Sequence, residues 1–340
     1  MKNIKRFSVI LLTTLLFYGC SKEELPEENI NNDNTNESGH TPIYFFQSSN
    51  LKSLNLDDKG GAFFATESNN ELTGEIYSIA YDPSDETFFG TTHYSSLSSN
   101  VPTSFESFNP KTKERIKKVI CDDCDYHSVS VNTKSNKKIL IKYGQSYEHL
   151  IFQEISSQGE IIFESPEISL GGQVSNFIYI PKSNSFVSKN DTYFDLRISV
   201  IDASTYELKT LILDVEYPDD PIGSSFNYNH LNYDNKNDII YYLRSNGLYV
   251  IDLDSETAEL IETNWIAFFQ SKFGKDEELS LVSTIFYPPT NELIIQGHGF
   301  FGSSTGSNKF FAIDLTSNQA REINTISHTL YRVYGFAVKN

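Results

Sequence analysis

A pattern recurring about every 50 residues limits what this chain can fold into more than any other feature. A strand ends in an aromatic or apolar residue, a polar turn follows, and a second apolar strand begins. The clearest copy is Ile79-Ala80-Tyr81-Asp82-Pro83-Ser84-Asp85-Glu86-Thr87-Phe88-Phe89, and further copies cover 129–141, 177–187, 230–242 and 284–295. With Tyr81, Val131, Ile180, Tyr233 and Tyr287 taken as equivalent, the spacings are 50, 49, 53 and 54. Such regularity belongs to repeat architectures and not to an irregular sandwich.

A second signature lies downstream in most units, an apolar strand that reaches an acidic or amide residue before a turn. Phe108-Asn109-Pro110, Val200-Ile201-Asp202, Val250-Ile251-Asp252 and Ala312-Ile313-Asp314 are the examples. A fourth apolar strand follows each turn, and four strands per unit of this length make a propeller blade. The 20 Tyr and 25 Phe residues suit strands. Only 264–273, with Trp265, Ile266, Phe268, Phe269 and Phe273, has mixed helical spacing. Five complete units lie between about residues 74 and 326. The chain ends supply the sixth, with 330–338 as its innermost strand and 43–47, 51–56 and 62–65 as the other three, an arrangement that closes a ring and hides the sheet edges. The expectation is an all-β fold in which 41–340 forms one six-bladed β-propeller, seven blades being the alternative. The repeats resemble the Tyr-Asp-Pro turns of the broad superfamily of quinoprotein-like, NHL-like and TolB-like propellers. That resemblance implies a fold and not a function.

The N-terminus carries an address. Lys2, Lys5 and Arg6 precede an apolar run from Phe7 to Phe17, and Phe17-Tyr18-Gly19-Cys20 ends it on a small residue and a cysteine. The run is about half of the ~20 residues that span a bilayer, so it reads as a signal peptide. The pattern resembles a bacterial lipoprotein lipobox, which implies an acylated Cys20 as the mature N-terminus. Ser21-Lys22-Glu23-Glu24 resembles the Lys-acidic-acidic signal that sends Bacteroidota lipoproteins to the outer face of the outer membrane. The implied organisation is a signal peptide over 1–19, a lipidated flexible tether over 20–40 with almost nothing to bury, and the propeller over 41–340. The lipid anchor alone would hold it to the membrane, facing the cell exterior. With 45 acidic against 27 basic residues and a formal charge of −18, the chain lacks the basic footprint that nucleic acid or anionic headgroups require.

In a four-stranded blade the loops between strands two and three gather on one face with the blade-to-blade loops, and such loops favour function. The candidate ligand-binding residues placed there are His93, Tyr94, Tyr143, Tyr147, His149, Tyr193, Trp265, His298 and Phe300. Ring faces beside amides and carboxylates suit a neutral, amphipathic small molecule or glycan. Packing between blades is the competing reading of each ring. His127, His230 and His328 fall at the entrances of inner strands, where they would hold a metal, act as a base, or simply bond nearby backbone. Cys121 and Cys124 are read as a disulfide clamping their loop. Ca²⁺ on Asp122, Asp123 and Asp125, or Zn²⁺ on the two thiolates with His127, is the competing use of that segment, the latter weakened by the lack of a second Cys pair, and no other cofactor is evident. Gly302-Ser303-Ser304-Thr305-Gly306 matches a nucleophile-elbow pattern but lacks the strand before and helix after that the elbow needs.

The function expected on these grounds is capture of a ligand or partner protein at the cell surface, by a monomer unless complexed. Lipoproteins that this one resembles often serve as accessories of outer-membrane nutrient-uptake transporters. An extracellular glycan- or peptide-processing lyase or hydrolase, with its site at the channel mouth, is the alternative.

Overall fold

The computed structural model of the protein describes residues 41–47, 50–56, 61–66, 75–93, 102–122, 124–191, 196–213, 215, 231–244, 247–273, 278–300, 308–325 and 335–339. They form the six-bladed propeller expected from the repeat. Blade two comprises Glu75–Asp82, Thr87–His93, Thr103–Phe108 and Arg115–Cys121; blade three comprises Tyr126–Asn132, Lys137–Tyr143, His149–Ile155 and Ile161–Glu164. Blade four runs Ile178–Ile180, Ser185–Asp191, Leu196–Asp202 and Leu208–Leu213, and blade five Leu231–Asp234, Ile239–Arg244, Gly247–Asp252 and Thr257–Ile261. Blade six contains Glu278–Tyr287, Glu292–Phe300, Asn308–Asp314 and Gln319–Thr325.

Blade one takes strands from both ends of the chain. Ala337–Val338 is its innermost strand, followed outward by Ile43–Gln47, Asn50–Leu56 and Gly61–Thr66. Ile43 is opposite Val338, and Tyr44 is opposite Ala337. The exchange inferred from the sequence is therefore present, although residues 330–334 lie outside the described residues. Blade six also touches blade one through a short parallel pairing, Asn324 with Gly61 and Thr325 with Ala62.

Every blade is sandwiched, so its inner strands are apolar on both faces. Six buried clusters fill the six spaces between neighbouring blades. Alternation along a strand assigns adjacent residues to different spaces. Phe88 packs towards blade one, with its ring 4.1 Å from that of Tyr44, while Phe89 packs towards blade three among Val129 and Leu140. Phe310 and Phe311, and likewise Tyr241 and Tyr242, divide in the same way. Burying a ring of this kind is worth about 1.5–3 kcal/mol. A buried Lys138 adds a polar link between blades two and three: its Nζ lies 2.7 Å from Asp82 Oδ2 and also bonds Asp85. Burial alone would push the Asp82 carboxyl up, but the bonds from Lys138 and Ser84 outweigh it and hold the group below the usual range.

The polar residue that closes each repeat signature caps its turn. Asn109, Asp202, Asp252 and Asp314 each accept two backbone N–H bonds through Oδ1, at 2.7–3.3 Å. Asn132 and Asp234 do the same in the turns after the innermost strands. Four residues beyond each cap the backbone turns left-handed, at Lys113, Tyr206, Glu256, Asn318, Asn136 and Asp238. These are Asx turns, repeated with the blade period. The helical segment expected over 264–273 is the helix Trp265–Phe273 between blades five and six.

Candidate functional site

The innermost strand of every blade is an edge of its sheet. An edge strand leaves one row of backbone N–H and C=O groups without sheet partners, and here six such rows converge on the propeller axis. They enclose a cavity of about 720 Å³ walled by residues of all six blades. Its mouth lies where the innermost strands end, at Thr133, Pro181, Asn235, Lys236, Pro288 and Lys339. Inside, Ser78 Oγ accepts the Val129 amide at 3.1 Å, and Asn232 Nδ2 donates to Thr284 Oγ1 at 2.8 Å, so polar side chains bridge adjacent blades along the wall. The half-buried rings of Tyr81 and Tyr233 stand near the mouth. Tyr233 donates its hydroxyl to Asp238 Oδ1 at 2.8 Å.

This mouth opens on the face of the turns between first and second strands, opposite the loop face on which the sequence reading placed its candidates. Three of those candidates do meet on the loop face, in blade three. Tyr147, 58% exposed, stands edge-on to Tyr143 with ring centroids 4.8 Å apart. His149 Nδ1 lies 2.8 Å from Ser146 Oγ. Glu167 accepts the Gln145 amide at 2.7 Å, and a side chain at Gly144 would have to displace that exposed carboxylate.

His127 lies behind this loop. Its Nε2 is 2.9 Å from the Ser175 carbonyl, which can only accept, so Nε2 carries the proton and Nδ1 receives the Tyr143 hydroxyl at 2.9 Å. Burial pushes the imidazole below its ordinary range, against smaller upward effects of the Ser175 carbonyl and Asp125. The Tyr143 phenol is pushed up to about 12 by burial, with Asp125 and Tyr147 adding to it. A neutral imidazole with both nitrogens engaged is a structural link between blades three and four, not a free base or metal ligand. His230 and His328 lie outside the described residues.

The other candidates are dispersed. Trp265 corrects the reading of it as an exposed loop ring: it is 1% exposed and packs with Phe269 and Phe311 between blades five and six. His93 ends the strand Thr87–His93 opposite Glu75, while His298 and Phe300 lie within Glu292–Phe300 opposite Ser280 and Glu278. These three therefore belong to strands and not to the loops first assigned, because pairing with the innermost strand continues that far. Tyr94, Tyr193 and the Gly302–Gly306 match lie outside the described residues, as does the whole of 1–40 with Cys20. Cys121 and Cys124 are bonded to each other, with Cα atoms 5.6 Å apart, and Thr103 Oγ1 donates to the Cys124 carbonyl at 2.8 Å. Asp123 lies outside the described residues, and among those described no group of three or more His, Cys, Asp or Glu could hold a metal ion.

The cavity residues Tyr81, Asn232, Tyr233 and Lys236 were not singled out as a site by sequence reasoning. The only signal they offered was their position in the repeat.

No protein-family profile matches the chain, and no curated protein matches it in sequence. Its likeness is to solved propellers. A chain of the nidogen/laminin complex superposes with a TM-score of 0.56 at 11% identity, over 88% of this chain and 98% of that one. TolB from Acinetobacter baumannii gives 0.54 at 11% identity, over 88% and 66%. The periplasmic gluconolactonase PpgL of Pseudomonas aeruginosa gives 0.51 at 10% identity, over 83% and 81%. At such identities the likeness establishes a shared propeller fold and nothing about activity.

Proposed function

We propose that this chain is a lipid-anchored binding protein that holds a small ligand in its propeller channel and serves as an accessory of an outer-membrane uptake transporter. The binding half rests on the cavity of about 720 Å³. That volume falls in the range of small-molecule pockets, and the wall offers what such pockets use, apolar rings with a few placed polar groups. Six strand edges reach one guest together, so hydrogen bonds can be made from several directions. The anchoring half is supported by the sequence pattern that ends at Cys20 and by the acidic, amide-rich segment behind it. Acyl chains suffice to hold such a body at a membrane.

Plugging the mouth tests the binding reading. Asn235 is exposed and lines the cavity, so Asn235→Trp should fold as the wild type does and abolish capture of small molecules by the full chain, measured by equilibrium dialysis against a panel of sugars and aromatic acids. Unaltered capture in the plugged variant would overturn the channel as the site. Cys20→Ala should release the protein from the membrane fraction. Alanines at Lys22, Glu23 and Glu24 should keep it lipidated but hidden from protease added to whole cells.

A further inference from the structure

We propose that the guest of this channel is a ring-bearing organic monoanion whose charge is met by Lys236 at the mouth. The inference rests on the channel being a ligand site and goes on to name the chemical class of the ligand. Three of the cavity's lining residues carry formal charge: Asp234, Lys236 and Lys339. The lining is thus positive by one, in a chain whose formal charge is −18.

The two partners of Lys236 in that count are already engaged. Asp234 is buried, and its Oδ1 accepts the amides of Lys236 and Asn237 at 2.9 and 3.2 Å, while Oδ2 accepts Asn237 Nδ2 at 2.6 Å. Its carboxylate is used up in capping the turn and has little left to offer a cationic guest. Lys339 bonds Glu86 at 2.9 Å. On the same face Lys182 bonds Asp238, and Lys138 bonds Asp82 and Asp85. Lys236 differs from them. It is exposed, its backbone is fixed by the Asx turn, and among the described residues its ammonium has no carboxylate within ion-pair distance.

An unpaired ammonium at the rim of a concave wall selects for one negative charge. A second charge would find no further free cation in the lining and would meet the negative field of the body. Tyr233 is half-buried on the strand that leads into this lysine's turn, and with Pro181 and Pro288 of the two flanking blades in the wall it offers rigid apolar surface that favours a flat ring over a flexible chain. The strand edges and the Ser78 and Asn232 groups deeper in the channel would take the guest's hydrogen-bonding substituents.

Matched pairs that differ only in charge provide the test. Full-length protein in zwitterionic nanodiscs is titrated calorimetrically with benzoate and benzamide, indole-3-acetate and indole-3-acetamide, and glucuronate and glucose. At least one acid should bind about tenfold more tightly than its neutral partner, the size of one charge-assisted contact, and added salt should narrow the gap. Lys236→Met should close the gap while leaving the neutral partner's affinity unchanged, and Lys236→Arg should restore it. Equal binding of acid and neutral partner would overturn the monoanion and leave the channel reading intact. A gap that survives Lys236→Met would overturn the role of this lysine. If none of the six compounds binds, the monoanion is likewise overturned; Asn235→Trp, tested against the wider panel, then decides the channel separately.

Discussion

Replacing Trp265 with alanine should cost this protein about 3 kcal/mol. The indole is 1% exposed in the helix Trp265–Phe273, where the Phe269 ring meets it at 5.4 Å and Tyr241, Leu248 and Phe311 share its cluster between blades five and six. Truncating a buried Trp ordinarily costs about 3–5 kcal/mol, because the surroundings refill the void only in part. Two effects pull towards the lower end. Alanine gains roughly half a kcal/mol of helix propensity, and the buried Nε1, which has no hydrogen-bond partner among the described residues, is removed together with its desolvation penalty of about 1–3 kcal/mol. Trp265→Phe keeps most of the ring and also sheds that orphan donor, so it should stay within about 1 kcal/mol of the wild type. At about 2 °C per kcal/mol for a body of this size, the alanine variant should melt roughly 6 °C lower and the phenylalanine variant within about 2 °C. Urea unfolding should be followed by far-ultraviolet circular dichroism, since Trp265 is the chain's only tryptophan and fluorescence disappears with it. Ligand capture should survive wherever the variant is folded, as Trp265 does not line the cavity. An alanine variant that melts with the wild type yet loses capture would refute the packing assignment and return Trp265 to a binding face.

Other perturbations follow from the same contacts. Lys138→Ala strands the buried carboxylate of Asp82 and should cost about 3 kcal/mol or more in urea unfolding; an unchanged midpoint would show that the pair contributes nothing. The His127 pKa is held down in the folded state, so below about 6.5 the unfolded chain binds more protons and stability falls with pH. His127→Gln should flatten the decline in melting temperature between pH 7 and 5, and an equal slope in the variant would remove His127 as its source. Deleting 335–340 strips blade one of Ala337–Val338, and with it the contacts of Phe336 and Val338 to blade six. It should lower the melting temperature of the whole propeller in one transition; a separate, early melting of blade one alone would contradict a cooperative ring.

The architecture was legible because its signals are local. Asn109, Asp202, Asp252 and Asp314 recur for the chemistry of their own turns, each side chain binding amides two and three residues ahead, so a single sequence records them. Tyr44 and Phe88, or Phe89 and Val129, could be read as apolar but not as partners, since only the ring decides which space each enters. Trp265 was misread for a related reason: a linker rich in rings does not say which side of its helix finds a wall. The cavity was the least legible feature. Much of its polarity belongs to backbone edges, which no residue type announces. Lys236 looks like any turn lysine until Asp234 is seen to be spent on its own amides.

The composite first blade has a consequence for how the protein is made. Ile43 must find Val338, a partner at the far end of the chain, so the contact that completes the ring is also among the most distant in sequence. During synthesis, Phe45 and Leu54 emerge early, and their cluster lacks its other half until blade six and Ala337–Val338 have followed. A chain cut short anywhere before Phe336 would present that unsatisfied apolar surface to chaperones and proteases. Burial of the N-terminal strands must therefore wait until Ala337–Val338 has been made, and a closed ring certifies that the chain has been read through to that strand.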